Sequence, residues 1–311
     1  MARKLRGRAL NGILLLDKPQ GGSSNGVMQR ARRLFDARKA GHTGALDPLA
    51  TGMLPICFGE ATKFSQYLLD ADKRYFVVAK LGVITDTGDA EGEVLEQHPV
   101  QVTADQVQQV LHGFVGDISQ VPPMYSALKV NGQPLYKLAR QGIEIERKAR
   151  PVTIYSIDFH GLAGHEVSFT VHCSKGTYVR TLVEDLGSAL GCGGHVTVLR
   201  RLTVGKFKEP EMVTFEQLEA LLGDQPDSEN YQKIDELLLP LSTAVADWPT
   251  AELGDDAAFY VLQGQAVRPN RVSGESDNAM VQIIKASSGE FLGVGEIQDD
   301  GRVAPRRLIA E

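Results

Sequence analysis

The sequence predicts an α+β chain that ends in a small, mostly-β module, and three observations carry that prediction. Tyr75, Val77, Ala79 and Leu81, and later Val167, Phe169, Val171 and Cys173, recur with period two, the pattern of half-buried strands. Val179, Leu182, Val183, Leu186 and Leu190 recur instead at helical spacing. Near Trp248-Pro249 the texture changes to short β-like runs between Gly-rich turns. The length of 311 residues suits two domains of roughly 100 to 200 residues each. The division expected is 1–247 and 248–311.

In chain order, Ile13-Leu14-Leu15-Leu16 reads as a short buried strand. Ser24-Asn25 can cap a helix whose Val27, Ala31, Leu34 and Phe35 share one face, with its arginines off that stripe. Residues 62–69 and 103–111 read as further helices, and 255–262 as a short one. Runs 281–284, 291–297 and 302–309 supply the strands of the terminal module.

Composition removes several classes. With 42% hydrophobic and 23% charged residues, the chain is neither collagen-like, disordered nor coiled-coil. No apolar run approaches the roughly 18 residues of a membrane span, and residues 13–16 are too few for a signal-peptide core. Cys57, Cys173 and Cys192 are far apart and without ligand spacing, so neither disulfides nor structural zinc are expected; a reducing cytoplasm fits. The seven histidines form no paired ligand set, and metal catalysis is not expected.

The net charge of −6 speaks at first against nucleic acid. Yet residues 216–256 hold eleven acids and one base, leaving +4 on the rest. The bases cluster as Arg3, Lys4, Arg6 and Arg8; as Arg30, Arg32, Arg33, Arg38 and Lys39; as Lys129, Lys137, Arg140, Arg147, Lys148 and Arg150; and as the pairs Arg200-Arg201 and Arg306-Arg307. Each cluster alone reads equally as a solvated face.

Two segments concentrate chemistry. Gly41-His42-Thr43-Gly44-Ala45-Leu46-Asp47-Pro48-Leu49-Ala50-Thr51-Gly52-Met53-Leu54-Pro55 holds three glycines and two prolines around one aspartate. Asp47-Pro48 reads as a helix start, Asp capping and Pro first; a carboxylate there also suits a nucleophile or general base. In Lys175-Gly176-Thr177-Tyr178-Val179-Arg180, Arg180 falls in the first turn of a helix, where the dipole disfavours a cation. It pairs either with Glu184 or with a carboxylate or phosphate from elsewhere. Tyr178 is equally packing. Gly21-Gly22-Ser23-Ser24 lacks the lysine of a P-loop, and the acids of residues 86–92 do not follow the calcium-loop order.

Together with Leu16-Asp17-Lys18-Pro19, Lys73-Arg74-Tyr75, Thr85-Asp86-Thr87 and Pro123-Met124-Tyr125-Ser126-Ala127-Leu128-Lys129, these segments occur in an order that resembles the bacterial TruB-type tRNA pseudouridine-55 synthases, from about residue 10 onward. The tail resembles a PUA RNA-binding module. The resemblance implies a pseudouridine synthase fold, a mixed and largely antiparallel sheet flanked by helices. It implies Asp47 as the catalytic aspartate, Arg180 as its partner and Tyr75 as the residue stacking on the target base. Tyr178 and Leu199 would line the uracil pocket, His42 would contact RNA, and Lys18 and Lys63 would lie near the RNA path. The partner implied is the T-arm stem-loop of tRNA, with the uridine flipped out of its loop, and help with RNA folding alongside catalysis. The isomerisation needs neither cofactor nor metal. A monomer is expected, since no self-complementary apolar surface is legible.

Overall fold

The run of residues 13–16 lies in the strand Gly12–Lys18, and its alternate side chains explain why it has no polar member. Leu14 and Leu16 enter one core while Ile13 and Leu15 enter another on the opposite face. Its neighbour Thr51–Phe58 is divided in the same way, with Leu54, Ile56 and Phe58 on one side and Met53 and Cys57 on the other. A strand buried on both faces loses the polar alternation. This computed structural model describes residues 7–130, 132–274 and 279–309, so Arg3, Lys4 and Arg6 of the first basic cluster lie outside the described residues.

The main sheet runs in the order Gly12–Lys18, Thr51–Phe58, Gly194–Val204, Lys73–Leu81, Glu166–Cys173, Arg150–Ala163 and Gly116–Gln120, with Ala40–His42 paired to Thr51–Phe58 as an eighth strand. The pairing of Gly194–Val204 with Thr51–Phe58 is parallel, through Arg200 opposite Thr51 and Arg201 opposite Gly52. The other pairings are antiparallel. The sheet is therefore mixed and largely antiparallel.

Helices cover it on the faces their sequences predict. Val179–Ala189 sinks Val179, Leu182, Val183 and Leu186 into the core formed with Val77, Ala79, Leu81, Val167, Phe169 and Val171. Each such side chain contributes about 1.5–3 kcal/mol when fully buried. Ser24–Leu34, capped by the Ser23 side chain, packs Val27, Met28 and Ala31 against Leu14, Leu16 and the helix Phe215–Leu222. The predicted helix over 62–69 divides into a 3₁₀ turn, Gly59–Lys63, and a short α-helix, Ser65–Asp70.

A second sheet of five strands follows, in the order Arg271–Ser273, Thr250–Leu253, Met280–Lys285, Phe291–Ile297 and Val303–Leu308, with the helix Asp255–Leu262 on its core. It meets the main body through aromatic side chains. Trp248 stands edge-on to Tyr67 with ring centres 4.6 Å apart, and Phe64 lies 5.4 Å from Phe291. Among the described residues no helix is long and apolar enough to cross a membrane.

Candidate active site

No helix begins at Asp47-Pro48; the segment is an irregular turn leading into the strand Thr51–Phe58. The capping reading fails because Ala50 N–H donates to Asp47 O at 3.1 Å and the chain then becomes extended. The turn is tied down from three sides. Ser24 Oγ donates to Leu46 O at 3.0 Å and accepts from Leu46 N–H at 2.8 Å. Gly21 N–H donates to Pro48 O at 2.8 Å. Lys18, 0% exposed, gives its ammonium to the carbonyls of Ala50, Pro19 and Pro48 at 2.7, 3.0 and 3.3 Å. Gly52 has φ +95, and a Cβ there would stand 2.3 Å from Arg201 O, so this position admits glycine alone.

The carboxylate that this turn presents is 37% exposed and faces a buried guanidinium. Arg180 Nε lies 2.9 Å from Asp47 Oδ2, and Nη2 donates to Oδ1 at 3.3 Å. The cation sits in the first turn of Val179–Ala189, against the dipole, and is held there by acceptors. Nη1 donates to Thr87 O at 2.8 Å and Nη2 to Tyr125 O at 2.7 Å. Its Nε is 3.9 Å from Asp89 Oδ2. Burial pushes the Asp47 carboxyl above its ordinary value, the charge of Asp89 adds to this, and Arg180 opposes it.

Tyr75 comes from the adjacent strand Lys73–Leu81, half-buried and packed on the core that includes Leu46, Leu49 and Leu199. Burial raises its phenol above the ordinary value; the charge of Arg201 opposes the shift, while the charge of Asp47 adds to it. Tyr178, just before the helix, has its phenol raised by burial, with Ser126 and Arg180 opposing and Asp47 adding. Its backbone N–H donates to Gln120 Oε1 at 3.0 Å. Leu199, buried in Gly194–Val204, closes the apolar side.

Asp47, Arg180, Tyr75, Tyr178 and Leu199 are therefore brought together. His42 stands on Ala40–His42 beside them; burial and the charge of Arg201 lower its imidazole, and its Nδ1 is buried without a hydrogen-bond partner. Lys18 is close too, but beneath the turn rather than on the surface. Lys63 is elsewhere: its ammonium pairs with Glu60 at 2.5 Å and donates to Leu308 O at 3.1 Å, joining the two sheets.

The sequence reading passed over two residues of this site. Asp89, 4% exposed, accepts from Thr87 Oγ1 at 2.7 Å and Glu91 N–H at 3.0 Å below Arg180. Arg201 was visible as half of a basic pair, yet it is 1% exposed. Neighbouring residues of a strand face opposite ways, so one member of the pair is turned inward.

A partly exposed carboxylate, a fixed guanidinium and two phenols beside apolar side chains suit attack on a flat ring at an electrophilic carbon. Fold and site thus define a pseudouridine synthase. The chain belongs to the TruB family: residues 32–179 match the TruB family pseudouridylate synthase N-terminal domain, 180–246 the tRNA pseudouridylate synthase B C-terminal domain, and 249–309 the pseudouridine synthase II TruB C-terminal model. It is 54% identical over 99% of its length to tRNA pseudouridine synthase B of Shewanella sp. strain ANA-3, covering 97% of that protein. With the Escherichia coli O1:K1 / APEC enzyme of the same name it shares 52% over 98% of its length, again covering 97% of that protein. Among solved structures, a chain of a Cbf5-Nop10-Gar1 complex superposes with TM-score 0.74 at 27% identity, over 96% of this chain and 84% of that one. A chain of an archaeal box H/ACA sRNP Nop10-Cbf5 complex gives 0.72 at 25%, over 96% and 86%.

Proposed function

We propose that the chain isomerises uridine to pseudouridine in tRNA, that its target is uridine-55 in the T arm, and that Asp47 is the nucleophile. Relatives more than half identical over nearly the whole chain are tRNA pseudouridine synthases. The observation that carries the mechanism is the open Asp47 carboxylate, 37% exposed, in the two-point grip of a buried Arg180.

The reaction breaks the N1–C1′ bond, turns the uracil and joins C5 to C1′, and the proton of C5 is exchanged for one on N1. Nothing is oxidised and no group leaves the product. The Asp47 carboxylate adds either to C1′ of the ribose or to C6 of the ring; both routes begin at the same oxygen. Arg180 keeps that oxygen ionised and aimed. Tyr75 stacks on the freed ring, so that it re-adds in place, and takes the C5 proton or relays it. Tyr178 and Leu199 form the walls. His42, half-buried beside the turn, would contact the RNA.

The target lies inside a folded loop, so it must be extruded into the site, at a cost of a few kcal/mol. Dispersed bases such as Arg30, Lys137 and Arg140 would grip the backbone. In this reading residues 1–247 are the catalytic domain and 248–311 a PUA-like domain holding another part of the same RNA, with the protein acting as a cytoplasmic monomer. The test is tritium release from C5-labelled uridine in unmodified tRNA. The wild type should release label at one position, and Asp47→Asn none; release by that variant at the wild-type rate would remove Asp47 from the mechanism.

A further inference from the structure

Two arginines are buried beneath the pocket and are satisfied differently. Arg180 meets a carboxylate. Arg201, 1% exposed, forms no ion pair within 4.0 Å among the described residues. Its donors go to neutral acceptors: Nε to Met53 O at 2.6 Å and Nη2 to Gly44 O at 3.0 Å. A buried cation without a counter-ion costs free energy that an apolar side chain of similar size would not.

The placement suggests what that cost supports. Gly44 and Met53 bracket the turn that carries Asp47. Tyr75 lies directly opposite Arg201 across the antiparallel pair of Lys73–Leu81 and Gly194–Val204, so the two side chains share a face. We infer that Arg201 is a positioning residue for the isomerisation: one rigid guanidinium bonds the carbonyls flanking the Asp47 turn and stands opposite Tyr75 across the strand pair, and so fixes the phenol relative to the carboxylate. The inference rests on Asp47 and Tyr75 being the reacting pair. A planar fork can serve several acceptors in one plane, which an ammonium cannot.

The test uses the full chain with Arg201→Met and Arg201→Lys. Turnover of unmodified tRNA by Arg201→Met should fall about 10²-fold, as when one preorganised donor is lost, with KM for tRNA within about threefold of wild type. Arg201→Lys should recover part of the loss. With fluorotyrosine incorporated, the fluorine resonance assigned to Tyr75 by comparison with Tyr75→Phe should move in Arg201→Met. An unmoved resonance, an unchanged turnover, or a KM that rises as much as turnover falls would overturn the inference. Should Arg201→Met not fold, Arg201→Gln is measured in the same way; failure of both to fold would assign the residue to stability alone. The resonance needs no turnover, so an active Asp47→Asn enzyme would sink the underlying reading without being confused with this result.

Discussion

The Arg180 guanidinium straddles the Asp47 carboxylate, with Nε 2.9 Å from Oδ2 and Nη2 3.3 Å from Oδ1. The same group spans Thr87 O and Tyr125 O, so it joins three separate loops at one point. An ammonium has no such fork. Arg180→Lys should lower single-turnover pseudouridine formation by about 10²-fold while tRNA affinity stays close to wild type. Wild-type rates in that variant would show that the fork does not matter.

Acidity should expose the same pair. Burial raises the Asp47 carboxyl above the ordinary aspartate value, and only the carboxylate is a nucleophile. Activity should therefore be full above that raised value and fall as pH drops through it, with an acid limb above that of a free aspartate. Arg180 opposes the rise, so Arg180→Met should move the limb further upward. A single-turnover pH profile checks both signs, and a limb at the value of a free aspartate would contradict them.

Gly52→Ala should damage the fold more than its one methyl suggests. The backbone is left-handed there, at φ +95, and the new Cβ would meet Arg201 O at 2.3 Å and Arg201 N at 2.8 Å. Backbone strain of this kind costs about 1–3 kcal/mol before the clash is added. Urea unfolding should show the loss, and a midpoint equal to wild type would mean that the parallel strand pair yields easily.

Lys18 should behave as a structural residue. Burial pulls its ammonium down to about 8, yet it satisfies the carbonyls of Ala50, Pro19 and Pro48. Lys18→Met leaves these acceptors unpaired and should cost about 1–3 kcal/mol, with turnover falling because the Asp47 turn loosens. A loss of tRNA affinity with stability unchanged would place Lys18 on the RNA path instead.

Binding of tRNA should weaken as salt rises, with a log–log slope of roughly −0.7 to −0.9 per phosphate neutralised. A flat response in a filter-binding titration would remove the electrostatic part of the RNA contact, whatever the basic clusters suggest.

Much of this was legible in the sequence where local pattern and tertiary environment agree. The period-two runs at 75–81 and 167–173 became strands, and the stripe from Val179 became the helix that carries Arg180. The strand Gly194–Val204 was not read, because bulges near Val196 and Arg201 break its alternation. Arg150–Ala163, with two bulges of its own, escaped for the same reason. Asp47-Pro48 has every local mark of a helix start, but the bonds from Ser24 and Lys18, distant in sequence, hold it as a turn. Asp89 was hidden in a loop tested only for calcium geometry.

Arg200 and Arg201 are neighbours with opposite fates. Arg200 goes to the surface and grips Asp17 through two bonds of 3.0 and 2.8 Å, with Glu209 at 2.7 Å, while Arg201 turns inward. The strand that carries them behaves as a reading frame. A slip of its pairing by one residue would exchange the two, sending the inner guanidinium to solvent and turning Leu199 away from Tyr75. The chemistry of the site is thus sensitive to the parity of a strand as much as to the identity of its residues.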